Sequence, residues 1–449
     1  MENITDQFVD YLYEKSYAIP DLKTAHQAKR CLLDYLSVVY AGKGLLGNKA
    51  IKLISQFPNV DSGSPIIGFG MNKSPDSAAF LNGFVSHVAE LDDGINSGIV
   101  HPGTPVISSL LAIAKSRNIS GEHVLKGIIA GYEATICLAN SVQPFHKKKG
   151  YHATGTIGAV GAAVGLAVMT GSSKEILKNS ISASIISAGG SLKAIEDASQ
   201  LKPYNVGNAA RAGLTAFLIA EAGIEGPDNA LGGSRGFFEM KAGSYDLEKL
   251  IPSHGNYAIH DIYIKPYAAC RYCHPAIEAA IDLSIKQDLQ NVEIQKVTVR
   301  TYDLAVHTHD HILVPNVSSA KMSIPYSVAT SIYNKKAGIN EFSEKFIHDE
   351  AIKVLTQKVI VIADPEYSQA FPEKSIAALE IELNSGKIYS NLVEFPKGEP
   401  ENPLSDHELT QKFVDLSNFA GCQKDKIEKT IDAIWSIESN IDRLYFLLN

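Results

Sequence analysis

The chain has 449 residues, 45% of them apolar and 20% charged, and a net charge of −8. That length suggests two or three domains with ample core, and the composition excludes a disordered or fibrous chain. The mild acidity argues against a nucleic-acid partner, which would need a basic patch; it leaves room for a small anionic substrate held at a local cationic site.

Taken in chain order, the first residues, Met1-Glu-Asn-Ile-Thr-Asp, show no basic region leading into an apolar run, so no signal peptide is expected. Helix then follows helix. Pro20-Asp21 opens one, with Leu22, Ala25, Cys31, Leu32, Tyr35, Leu36 and Val39 at mostly three- and four-residue steps and Gly42 as its end. Ser74 caps the next, with Pro75 in its first turn, and Thr104-Pro105 opens a third. Ser120 to Ser141, Ala153 to Thr170, a segment capped by Ser172 or Ser173 and running to Gly189, and Asn208 to Gly223 continue the series. The longest apolar stretch, Ile157 to Met169, is too short and too rich in Gly and Ala for a membrane span of about 20 residues. No clean strand alternation is visible before about residue 255.

The pattern changes near Pro266. Val292 to Arg300 and Lys358 to Ile362 read as strands rich in β-branched residues. Ala377 to Leu383 alternates apolar and acidic residues, then turns at Asn384-Ser-Gly386 into Lys387 to Ser390, a hairpin signal. Helical segments close the chain at Ser405 to Asn418 and Lys424 to Leu448. The pattern predicts a mainly α fold: a large all-helical domain, residues 1–265 with 401–449, plus a smaller α+β lid domain at 266–400. The five cysteines, Cys31, Cys137, Cys270, Cys273 and Cys422, are odd in number and form no framework, which fits a reducing cytoplasm.

Polarity concentrates in a few places. His87-Val-Ala-Glu90-Leu-Asp92-Asp93-Gly94 holds a histidine and three carboxylates near the end of an apolar helix. Steps of three put His87, Glu90 and Asp93 on one face, and like charges so close call for a cationic partner. His101 and His152 each stand just before a helix start, where backbone N–H groups favour an anion and a histidine can act as acid or base. Lys202 lies in a polar connection before a helix, and Lys265, Cys270, Arg271 and Cys273 gather where the domains are expected to meet. A lone Cys270-x-x-Cys273 pair reads as two ordinary thiols rather than a zinc site. Gly155-Thr-Ile-Gly158-Ala-Val-Gly161 lacks the dinucleotide fingerprint and follows no strand, so its small residues are expected at a close helix contact. His307-Thr-His309-Asp-His311 has strand-like spacing that would set three imidazoles on one side, the basis of an alternative as a metal-dependent hydrolase.

Together these segments resemble the MmgE/PrpD family, which includes 2-methylcitrate dehydratase, cis-aconitate decarboxylase and iminodisuccinate epimerase. The resemblance runs from Lys29-Arg-Cys-Leu-Leu-Asp34 through Glu-Leu-Asp-Asp-Gly, His101-Pro-Gly, His152-Ala-Thr-Gly, Lys202-Pro-Tyr-Asn-Val-Gly-Asn, Lys265 to His274 and Ser323-Ile-Pro-Tyr326 to Pro396-Lys-Gly-Glu-Pro. It implies a homodimer and metal-independent lyase or isomerase chemistry on small di- or tricarboxylates, with no cofactor. By position it implies His101, His152, Asp93 and Tyr326 as catalytic residues. It implies Glu90, Lys202, Lys265 and Arg271 around the substrate. Decarboxylase-like members tend to carry Asp-Phe-Asp-Asp-Thr where this chain ends in Gly94, and a histidine near Cys270. The expected activity is therefore a 2-methylcitrate dehydratase-like hydro-lyase, ahead of decarboxylation. The alternative within the same chemistry is an epimerase that returns the α-proton to the other face. No membrane partner is expected.

Overall fold

In the computed structural model, residues 3–448 are described except 19, 197–198, 254, 288, 290–292 and 440. After a first helix α1 (Ile4–Ser16), Asp21 caps α2 (Leu22–Leu46) by accepting from the Thr24 amide. Gly42 does not end that helix. A Cβ there would lie 1.9 Å from the Val85 carbonyl oxygen, so this glycine lets α2 touch α3 (Pro75–His87). Between them a short hairpin, β1 (Ser64–Ile66) and β2 (Met71–Lys73), corrects the expectation of no strand before residue 255; three-residue strands are too short to show alternation.

The helical series continues with α4 (Gly103–Ala114), α5 (Gly121–Val142), α6 (Ala153–Met169), α7 (Lys174–Ser187) and α8 (Lys202–Glu221). Ser120 and Ser173 cap α5 and α7 through their side chains. Helix α6 is buried along its whole length, and its glycines serve helix contact, not nucleotide binding. At Gly161 a Cβ would sit 1.8 Å from Thr135 Oγ1 and 2.7 Å from the Gly131 carbonyl oxygen, both on α5. Gly161→Ala should therefore cost about 1–3 kcal/mol through overpacking, read as a lower denaturation midpoint at unchanged slope.

The second body begins with α9 (His274–Lys286). Its sheet has the order β4 (Val359–Ala363), β3 (Ile294–Thr301), β5 (Ala377–Leu383), β6 (Ile388–Val393). β3 pairs parallel with β4 and antiparallel with β5. The expected first residue of that strand, Val292, lies outside the described residues. The β5–β6 hairpin turns with Gly386 at φ +79°, as Asn-Ser-Gly suggests. Helix α9 packs on β5 and β6, while α10 (Ile324–Asn334) and α11 (Glu350–Gln357) pack against β4. The chain closes with α12 (Asp406–Phe419), which carries a Ser405/Glu408 capping box, then α13 (Lys424–Trp435) and α14 (Ile441–Leu448).

Two buried apolar cores result. One joins α1–α7 to Leu404, Leu409, Phe413, Ile434 and Leu448 from the closing helices. The other gathers α9, α10 and the sheet and takes in Val38, Ala41 and Leu416. Lys412 on α12 ties the cores together, with its Nζ 2.5 Å from Asp34 and 2.8 Å from the Leu91 carbonyl. No described helix is long and apolar enough to cross a membrane. All five cysteines are free thiols.

Candidate active site

Three helix starts converge on one cavity of about 1150 Å³: His101 and Pro102 precede α4, His152 precedes α6, and Lys202 opens α8. Partial positive charge at these N-termini favours an anion. Lys202 is thus the first residue of its helix, not part of a preceding connection; Leu201 and Pro203 start the helix earlier than its apolar periodicity shows.

The acidic segment shapes the cavity floor. Helix α3 stops at His87, and Glu90 takes a left-handed conformation, φ +57°, which breaks the helical period. His87 and Asp92 meet where steps of three would have paired His87 with Asp93. His87 Nδ1 lies 2.7 Å from Asp92 Oδ2, and His101 Nδ1 lies 3.5 Å from the same oxygen. The Asp93 carboxyl instead turns into the helical core. It accepts from Tyr132 Oη at 2.5 Å and from the Gly103 amide at 3.1 Å, and it is absent from the cavity wall. Burial beside Asp34 and Asp92 pushes it up to about 8. Asp93 reaches His101 only through its main-chain carbonyl, 2.5 Å from Nδ1.

Glu90 is the hub for the lysines. Its carboxylate takes Lys202 Nζ at 2.7 and 2.6 Å and stands 3.8 Å from Lys265 Nζ, which also donates to the Glu90 carbonyl. Burial alone would raise the Glu90 carboxyl; Lys202, His87 and Lys265 outweigh it and hold the group ionised. A third ammonium, Lys321, was not singled out from sequence. Its Nζ donates to the Val88 and Ala89 carbonyls at 3.2 and 3.0 Å. It sits two residues before Ser323-Ile-Pro-Tyr326, and its signal was a lone charge at Ala320-Lys321-Met322 just ahead of a helix. Burial, with Lys265 and Lys202 nearby, lowers it to about 8 against the pull of Glu90. The charge of Lys321 therefore disappears as pH rises through about 8. The dissociation constant of an anion in this cavity should rise over that interval, and Lys321→Arg should remove the rise, because a guanidinium stays protonated.

The two histidines have opposite faces available. His101 Nδ1 sits against the Asp93 carbonyl and the Asp92 carboxylate, both acceptors, so Nδ1 carries the hydrogen and Nε2 keeps its lone pair. Asn205 Nδ2 donates to the Ser191 carbonyl at 3.1 Å and lies 3.3 Å from His152 Nδ1, which accepts from it. The hydrogen of a neutral His152 ring is therefore on Nε2. Burial lowers both rings, His101 to about 3 with Asp92 opposing, and His152 well below its usual value with Lys202 adding to the effect. His87 packs between them, its ring 5.1 Å from His101 and 6.0 Å from His152, with a buried Nε2 that has no hydrogen-bond partner.

Two expected residues are placed otherwise. Arg271 borders the cavity, but its donors go to Glu399, His274 and the Pro396 and Lys397 carbonyls. Its guanidinium lies 4.6 Å over the Tyr263 ring, so it props a cavity wall. Tyr326 is not at the cavity: α10 turns its hydroxyl to the Glu341 carbonyl, 2.8 Å away. Tyr263 enters instead. A Cβ at Gly94 would stand 2.4 Å from Tyr263 Oη and 3.0 Å from His101 Nδ1, so glycine at 94 is what admits this tyrosine. His307, His309 and His311 all border the cavity, but Asp303–Val306 forms a helical turn and a loop follows, so no strand aligns them. Among the described residues no three His, Cys, Asp or Glu side chains are grouped to hold a metal ion.

The chain thus combines a helical body and an α+β body with a lysine-lined cavity that two histidines border. Residues 6–250 match the family described as MmgE/PrpD N-terminal domain, and residues 267–437 match MmgE/PrpD C-terminal domain. The chain belongs to the MmgE/PrpD family. It is similar over its length to a cis-aconitate decarboxylase-like protein, oryM, of Aspergillus oryzae, at 22% identity across 98% of this chain and 95% of that protein. The cis-aconitate decarboxylase of Homo sapiens is 22% identical across 99% of this chain and 93% of its own, and that of Mus musculus 23% across 92% and 86%.

Proposed function

We propose that this protein is a lyase of small di- or tricarboxylates in which His101 is the base and His152 the acid. The observation that carries this reading is that His101 and His152 both border the lysine-lined cavity, with His101 Nδ1 set against two acceptors so that its Nε2 keeps a lone pair. His101 removes the proton α to a carboxylate and becomes imidazolium, and the electron pair forms the C=C bond as the C–O bond breaks. His152, entering the step as imidazolium beside the bound polyanion, gives its proton to the departing hydroxide and returns to neutral imidazole. Lys202, Lys265 and Lys321 stabilise the charge that develops on the activated carboxylate. The negative charge of a bound polyanion offsets the burial and the Lys202 charge that lower His152, and so lets that ring hold the proton it donates.

Elimination uses both histidines. Decarboxylation, the activity in the names of the relatives, needs an acid to protonate the carbanion and no base. The held lone pair on His101, together with a Gly94–Tyr263 packing that leaves no room for the threonine of decarboxylase-like members, supports a dehydratase. Proton NMR of the enzyme with 2-methylcitrate, citrate and cis-aconitate separates the outcomes. Water loss or addition supports this reading. Loss of CO2 from cis-aconitate overturns it in favour of decarboxylation. Deuterium wash-in from heavy water with inversion and no elimination would make the protein an epimerase.

A further inference from the structure

The cavity, at about 1150 Å³, exceeds the roughly 300–1000 Å³ of pockets that hold drug-sized ligands. The Glu90 cluster and its histidines account for only part of its wall. Another part is built by Lys147, Tyr272 and His309, and nothing in the acid–base chemistry uses them.

Lys147 Nζ lies 3.0 Å from Tyr272 Oη and 4.9 Å from the centre of that ring. No carboxylate pairs with it among the described residues, although burial and Lys202 both work against its charge. Two of its three hydrogens are therefore free to meet a ligand. The His309 ring stands edge-on to Tyr272 at 5.2 Å. Its Nδ1 is 2.8 Å from Thr308 Oγ1, while its Nε2 is buried with no hydrogen-bond partner. A buried polar atom left unpaired costs about 1–3 kcal/mol, and His309 borders the cavity, so a ligand that reached Nε2 would relieve that cost. An ammonium that no carboxylate neutralises, and an imidazole nitrogen that has no partner and can carry the ring hydrogen, packed against one tyrosine, together make a site for a carboxylate. Nearby Glu90 is already taken by Lys202 and Lys265 and does not compete for it.

We propose that Lys147, Tyr272 and His309 form a second carboxylate subsite, so that the cavity takes an extended polycarboxylate at two points. This rests on the polycarboxylate reading above. Binding at two linked points gains strongly over either alone when one molecule reaches both.

The test uses two unreactive probes, tricarballylate (propane-1,2,3-tricarboxylate) and the monocarboxylate butyrate, which can occupy only one point, titrated calorimetrically into the full chain. Wild-type protein should bind tricarballylate at least tenfold more tightly than butyrate. Lys147→Met should lose at least tenfold for tricarballylate and stay within twofold for butyrate. Tyr272→Phe, which keeps the ring and removes only the hydroxyl holding Lys147, should lose a smaller share with the same selectivity. Equal affinity of Lys147→Met and wild type for tricarballylate, or an equal loss for both probes, overturns the second subsite alone. If wild type binds neither probe, the polycarboxylate reading falls and the subsite falls with it.

Discussion

His101→Gln should lower kcat by about 10²–10⁴-fold, the usual weight of a positioned acid or base, and His152→Gln should do the same. The two losses should differ in kind. In heavy water the His152 variant keeps the base and should still exchange the substrate's α-hydrogen without releasing water. The His101 variant should do neither. Both should melt close to wild type, since glutamine is of similar length and can keep a polar contact where each Nδ1 is held. Wild-type turnover in a folded His152→Ala protein would remove the acid assignment, and exchange surviving in His101→Gln would remove the base assignment.

The second large effect belongs to Glu90. Its side chain neutralises the buried ammonium of Lys265 and the partly buried one of Lys202. Removing one partner of a buried ion pair costs about 3–5 kcal/mol, because the other charge is left without compensation. Glu90→Gln should therefore be strongly destabilised in denaturant. Citrate should restore it more than it stabilises wild type, because an added anion binds only the folded state and replaces the missing charge. Unchanged stability in Glu90→Gln, or no difference in the citrate effect, would show that the lysines do not depend on Glu90. The same pairing means that a substrate must share Lys202 with an internal carboxylate, which disfavours ligands carrying a single charge.

Much of this site was legible in the sequence because charged side chains in otherwise apolar surroundings are expensive unless they are used. His101, His152, Lys202, Lys265 and Glu90 stood out that way, and all border one cavity. The errors have local causes. Extending the helical period beyond His87 gave Asp93 the place that Asp92 holds, since a left-handed non-glycine residue such as Glu90 has no pattern to announce it. Tyr326 and Arg271 have the right chemistry, but long-range packing turns one toward Glu341 and the other toward Glu399. Tyr263 was invisible because its role depends on a missing side chain 169 positions earlier, at Gly94. In the fold, caps and glycine turns marked most boundaries. Gly42 misled because a glycine that ends a helix and one that lets another helix approach look alike in sequence.

Helix α2 gives Leu32, Leu36 and Val39 to one core and Val38 and Ala41 to the other, and α12 divides Leu409 and Phe413 from Leu416 in the same way. Neither core can lose its packing while these helices hold, and neither helix can unwind without opening both. Heating such a molecule should produce one calorimetric peak, with the van't Hoff and calorimetric enthalpies in agreement, in place of two separate meltings. The slowest-exchanging amides should then lie along α2 and α12, where the two cores are joined.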